Sequence, residues 1–166
     1  GRNVVAAHCT KGSTEIEYWQ KDNIGYKFLS RKVKGAIEAS KPENIYFVWL
    51  QGESDAIFSK KKDYYKEKLT ALKDALKADF NIEKFGVILV GRFTMDERDL
   101  EIINAQKEAC EEDADFLMLT TITEELIYKS EYMNPTVKGH YNAKGQDIIG
   151  TLAGEILGEY VSEKNS

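Results

Sequence analysis

The sequence predicts an α/β domain built in three layers, with helices covering both faces of a mainly parallel sheet. Three observations lead there. Short β-rich apolar runs alternate with stretches whose apolar residues recur every 3.6 positions. The apolar runs are nearly continuous, as strands buried on both faces require. A chain of 166 residues is about one domain long, with a core burying roughly 70% of the unfolded surface.

In chain order, residues 3–9 form the first apolar run and are expected as a strand. Residues 24–39 are amphipathic and expected as a helix. The run Ile45-Tyr46-Phe47-Val48-Trp49-Leu50 predicts a strand over 45–50. Residues 59–80 hold the clearest helix, since Tyr65, Leu69, Leu72, Leu76 and Phe80 share one face and the Lys60 to Lys62 run faces water. A strand over 85–90 and a helix over 96–112 follow, with Leu100, Ile103, Ala109 and Cys110 in register. Residues 116–120 predict the next strand, and 143–161 the last helix, with Ile149, Leu152, Ile156 and Tyr160 on one side. Asn142 is its expected N-cap. This β-α alternation describes a flavodoxin-like sheet, which binds ligands beyond the carboxyl ends of its strands. Four loops meet there: 10–16, 51–55, 91–94 and 121–142.

Composition narrows the function. Hydrophobic content of 42% and charge of 31% belong to a folded chain, and no repeat is visible. A net charge of −5 argues against a nucleic-acid partner, which needs a basic face. No apolar run approaches the roughly 20 residues of a membrane helix, and no signal-peptide pattern is present. Cys9 and Cys110 have neither disulfide nor metal spacing and are expected as buried thiols. No glycine-rich phosphate loop follows a strand, which disfavours a nucleotide or phosphate binder.

Histidine has the ordinary pKa nearest neutrality, so a loop histidine at the strand ends is a candidate general base. His8 lies inside an apolar run and is expected in the core. His140, in Gly139-His140-Tyr141-Asn142 just before the last helix, is the candidate base. After Val48-Trp49-Leu50 come Gln51, Gly52, Glu53, Ser54 and Asp55. A glutamine amide can donate to a developing oxyanion, and a glutamate can orient a histidine. Ser54 or Asp55 can cap the next helix. An amide and an acid have no packing reason to follow that strand, which singles out Gln51 and Glu53.

At these residues the chain resembles the SGNH hydrolase superfamily, in its sialate O-acetylesterase and acetylxylan esterase branch. Trp49 to Asp55 resembles the branch's Trp-x-Gln-Gly-Glu-Ser-Asp signature, and Gly12-Ser13-Thr14-Glu15-Ile16-Glu17-Tyr18-Trp19 its second block. Asn104 to Ala109 is similar to its Arg-x-Ala-Gln helix, and Gly139 to Gly150 to its histidine block. The resemblance covers residues 3–160. It implies hydrolysis of acetyl esters on sugars through an acyl-enzyme, without metal or organic cofactor. It also implies His140 as base, Glu53 as its acidic partner, and Gln51 with the Gly12-Ser13 turn at the oxyanion.

Two departures stand out. The family's aspartate three residues before its histidine is Val137 here. The Gly-Gln-Ser-Asn block holding the nucleophile is not found, so the first strand and its serine are expected to precede Gly1. Ser13 is the alternative nucleophile, although it aligns with the second glycine of the family's second block. A catalytically silent sugar-binding module of the same fold is the competing reading.

Overall fold

A computed structural model describes residues 3–164. Its three strands, β1 (Tyr46–Trp49), β2 (Lys84–Ile88) and β3 (Phe116–Thr120), run parallel in the order β1-β2-β3. The helices are α1 (Ile24–Ser40), α2 (Glu53–Ile57), α3 (Lys62–Phe80), α4 (Glu97–Glu112), α5 (Thr123–Leu126) and α6 (Ala143–Glu163). The expected α/β class therefore stands, as a three-strand parallel sheet flanked by helices. Among the described residues no helix is long and apolar enough to cross a membrane.

Strand pairing sorts the side chains into two faces. Phe47 lies opposite Phe85, which lies opposite Phe116. Their rings meet in sequence, tilted at 4.8 Å and then edge to face at 5.2 Å between centroids. They join Leu69, Leu72 and Leu76 of α3 and Ile102 and Ile103 of α4 in the larger core. On the other face Ile88 and Leu119 meet Ile149 and Ala153 of α6. Gly86 makes this second packing tight, because a Cβ there would lie 2.6 Å from Leu119 Cδ1.

The α3 stripe is as expected, with Tyr65, Leu69, Leu72, Leu76 and Phe80 all buried. Its helix starts at Lys62 rather than Ser59, because Ser59 adopts a left-handed φ of 57° that separates α2 from α3. The lysines before it are ion-paired: Lys60 with Glu15 at 2.8 Å, Lys61 with Glu101 at 3.0 Å and Lys62 with Glu108 at 2.6 Å. Asn142 caps α6 as expected, its Oδ1 accepting from the Gly145 N–H at 3.0 Å.

Other expectations are corrected. Residues 3–9 form no strand: Val4 is 86% and Val5 64% exposed. An apolar run becomes a strand only where a neighbour takes its N–H and C=O groups. His8 is accordingly exposed, its Nε2 lying 3.3 Å from Thr10 Oγ1, rather than in the core. In α4 the buried face is set by Asp99, Ile102, Ile103 and Gln106, which leaves Leu100 at the surface. In α6 the fully buried positions are Gly145, Ile149 and Ala153, and Ile156 is exposed. Cys9 and Cys110 are free and only partly buried, and burial pushes the Cys110 thiol up to about 12.

Candidate active site

The end of β1 turns into α2 at Gly52, whose φ is 150°. A Cβ there would meet Ile102 Cγ2 at 2.7 Å and Val90 Cγ1 at 3.2 Å. Glycine thus serves two needs, a backbone conformation closed to other residues and contact with α4. The turn brings Gln51 and Glu53 to the carboxyl end of the sheet.

Gln51 is held on all sides. Its Nε2 donates to the Thr14 carbonyl at 2.9 Å and to Asp55 Oδ2 at 2.6 Å, which uses both amide hydrogens. The Tyr65 hydroxyl lies 3.0 Å from its Oε1 and 2.9 Å from its carbonyl. In this conformation Gln51 has no hydrogen left for an oxyanion. It acts instead as a clamp between the 10–16 loop and the β1 end.

Asp55 is the other half of that clamp. It is fully buried, and its two oxygens accept from the Ile16 N–H at 3.2 and 3.0 Å. Neither Ser54 nor Asp55 caps a helix as expected, since both lie inside α2, whose N-cap is Gly52; Asp55 instead fixes the Thr14 to Ile16 turn. Burial pushes its carboxyl up to about 6, against the opposing hydrogen bonds from Gln51 and Ile16; Glu15 raises it further and Lys60 lowers it. A folded pKa above the unfolded one gives stability that is present at low pH and lost as pH rises through about 6. The expected difference between pH 4 and 8 is about 3 kcal/mol at most. Urea unfolding across that range should show it in the native protein and not in Asp55→Asn. Parallel profiles for the two proteins would refute the assignment.

Gln106 ties two strand ends together. Its Nε2 donates to the Gln51 carbonyl at 2.8 Å and to the Tyr65 hydroxyl at 3.1 Å, while its Oε1 accepts from the Val90 N–H at 2.8 Å. It is fully buried. The sequence signal for it was its place in the Asn104 to Ala109 block. Tyr65 gave no signal beyond its place in an apolar stripe.

His140 sits at the neck of the 121–142 loop, closed by an antiparallel bridge between Met133 and Tyr141. Its carbonyl accepts from the Asn134 N–H at 2.7 Å and its N–H donates to the Val137 carbonyl at 3.3 Å. Asn134 Oδ1 organises the approach by accepting from the N–H groups of Thr136 and Val137. The exposed imidazole meets the Phe93 ring edge to face, 6.0 Å between centroids.

Phe93 is placed in turn by Asp99, a residue that reads in sequence as an ordinary first-turn helix acid. The buried Asp99 carboxylate gathers the N–H groups of Phe93, Thr94 and Met95 at 3.1, 2.9 and 2.7 Å. Arg92 Nε stands 3.8 Å from the same carboxylate.

Glu53 is half-buried near Tyr141, whose phenol is raised first by burial and then by the Glu53 charge. Among the described residues no hydrogen bond or ion pair joins Glu53 to His140. The Gly12-Ser13 turn is exposed, with Ser13 at a left-handed φ of 57° and open space around Gly12. No described hydrogen bond links Ser13 to His140. Tyr128 is exposed, whereas Tyr141 packs its hydroxyl over Gly91.

A protein-family model described as a carbohydrate esterase, sialic acid-specific acetylesterase, matches residues 2–157. No curated protein matches the chain.

Proposed function

Because the chain belongs to the sialic acid-specific acetylesterase family of carbohydrate esterases, we propose that it removes acetyl groups from sugars through a serine acyl-enzyme. The observation that supports this reading is the family match, together with the place of Glu53 just after β1 and of His140 against Phe93, which follows β2, both beyond the carboxyl ends of the strands. His140 takes the proton of the serine hydroxyl as it attacks the acetyl carbonyl, then returns it to the departing sugar oxygen. Glu53 stabilises the imidazolium formed in between. Within the described residues neither the Gly12 nor the Ser13 N–H donates a hydrogen bond, which supports this turn as the oxyanion donor. Gln51 holds that turn through the Thr14 carbonyl.

The serine comes from a strand that pairs with the outer edge of β1. This rests on that edge: among the described residues β1 is the terminal strand of the sheet and pairs only with β2. The strand precedes Gly1 in a single domain of the SGNH type, with a flavodoxin-like sheet of more strands than the three described.

The test is release of acetate from 4-nitrophenyl acetate by this chain and by one extended upstream. We expect turnover from the extended protein and none from residues 1–166. Turnover by this chain that disappears in Ser13→Ala would move the nucleophile to Ser13. Silence of both proteins would favour a second reading, an inactive sugar-binding module. One observation supports that alternative: His140 has no carboxylate partner among the described residues, and Val137 occupies the place of the family's aspartate.

A further inference from the structure

The exposed imidazole of His140 is held by no hydrogen bond or ion pair among the described residues. It meets a carbon surface instead, the Phe93 ring, edge to face at 6.0 Å between centroids. The residue before it leans on the same ring: Gly139, at φ 78°, lies so close that a Cβ would be 2.4 Å from Phe93 Cε2. Where Phe93 stands therefore limits where the imidazole can stand.

Phe93 does not hold its own place. It leads into a turn in which Met95 has a left-handed φ of 64°, a conformation that costs a non-glycine residue energy, and the Met95 side chain is 45% exposed. The turn is closed from α4. Asp99, only 1% exposed, takes the N–H groups of Phe93 and Thr94 on Oδ1 and that of Met95 on Oδ2. Hydrogen bonds to a carboxylate are stronger than neutral ones, so three on one buried side chain make a stiff anchor. Arg92 supplies the opposite charge, its Nε 3.8 Å from Oδ2, and its Nη2 donates to the Asp96 carbonyl at 3.0 Å. None of the three N–H donors belongs to α4, whose N-cap is Asp96. Asp99 thus serves the loop before the helix and not the helix itself.

We infer that Asp99 is a positioning residue for His140: it fixes the Phe93 ring, and the ring sets the orientation of the imidazole. The inference rests on the reading of His140 as the base. The geometry it asserts can be tested without turnover.

The experiment first measures NOEs between the ring protons of His140 and Phe93 in this chain. We expect them in the native protein and not in Asp99→Asn, because an amide offers one acceptor oxygen where the carboxylate offers two. Asp96→Ala is the control for general loosening: it removes the α4 cap but none of the three N–H bonds to Asp99, and should keep the NOEs. Loss of the NOEs in Asp96→Ala as well, or their survival in Asp99→Asn, would overturn the assignment. A second measurement follows acetate release by the serine-bearing protein. Phe93→Leu keeps the turn and removes the ring, so kcat should fall about tenfold with KM within about twofold, as for a misplaced catalytic group. Phe93→Tyr should keep most of the native kcat. A native kcat in Phe93→Leu, or a loss confined to KM, would overturn the inference even if Asp99→Asn does not fold. NOEs that depend on Asp99, with no acetate release from the native extended protein, would uphold the positioning geometry and sink the esterase reading. Release by the native protein that neither Asp99→Asn nor Phe93→Leu lowers would do the reverse.

Discussion

Replacing His140 with alanine should lower acetate release by the serine-bearing protein at least about a hundredfold, the usual range for losing a positioned general base. The loss should appear in kcat more than in KM, because the proton moves only in the transition state. Stability should hardly change. The imidazole is exposed, and what the fold uses at this residue is its backbone, bonded to Asn134 and Val137. The substitution therefore separates chemistry from folding. Unchanged turnover in His140→Ala would remove the proposed mechanism. Glu53→Gln asks a narrower question in the same assay, since it keeps the shape of the side chain and removes the charge near Tyr141. If Glu53→Gln retains full activity, Glu53 is not the orienting acid.

Gly52→Ala should be strongly destabilising. The backbone at this residue has φ 150° and ψ −16°, which an L side chain can hold only under strain. That strain costs about 1–3 kcal/mol. The new Cβ would also fall 2.7 Å from Ile102 Cγ2, in a core where Ile102 is fully buried and has little room to withdraw. Overpacking of that kind adds about 1–3 kcal/mol. Together these are a large share of the ~5–15 kcal/mol that holds a domain folded. Urea unfolding should show the loss. Ile102→Val in the Gly52→Ala background should recover part of it, because it relieves the contact and leaves the φ strain. A Gly52→Ala protein within about 0.5 kcal/mol of the native one would mean the β1–α2 turn has another conformation open to it.

The two substitutions touch opposite kinds of residue, and the sequence treats them differently. His140 was singled out because a histidine in a polar loop has few structural uses. Gly52 stood out in sequence only as one member of the Gln51 to Asp55 stretch, and nothing there pointed to its contact with Ile102, fifty positions away in the chain. The α3 helix was read correctly because its five stripe residues are all apolar. The same method misjudged α4, where the buried face carries the polar Asp99 and Gln106, so the apolar period pointed to Leu100 instead. Both polar residues are inside because backbone N–H and C=O groups at the strand ends need partners there. Apolar periodicity contains no trace of that demand.

Residues 3–9 failed for a related reason. Val4 and Val5 have strand propensity, but a strand is a property of a pair, and the described chain supplies no neighbour. The stretch Gln51 to Asp55 was read as chemical equipment, and much of it proves to be scaffolding. Asp55 reaches back to Ile16, and Gln51 spends its amide on Thr14 and Asp55.

Local pattern was enough to identify the α/β class, β1 to β3, the long helices and the loop that carries His140, because propensity and periodicity act between near neighbours in the chain. Which polar groups touch was settled only by packing. Asp55 and Ile16 are 39 residues apart, and Gln106 and Gln51 are 55 apart. A hydrogen bond forms only within about 3 Å, so the choice among donors and acceptors waits on how the sheet and its helices come together.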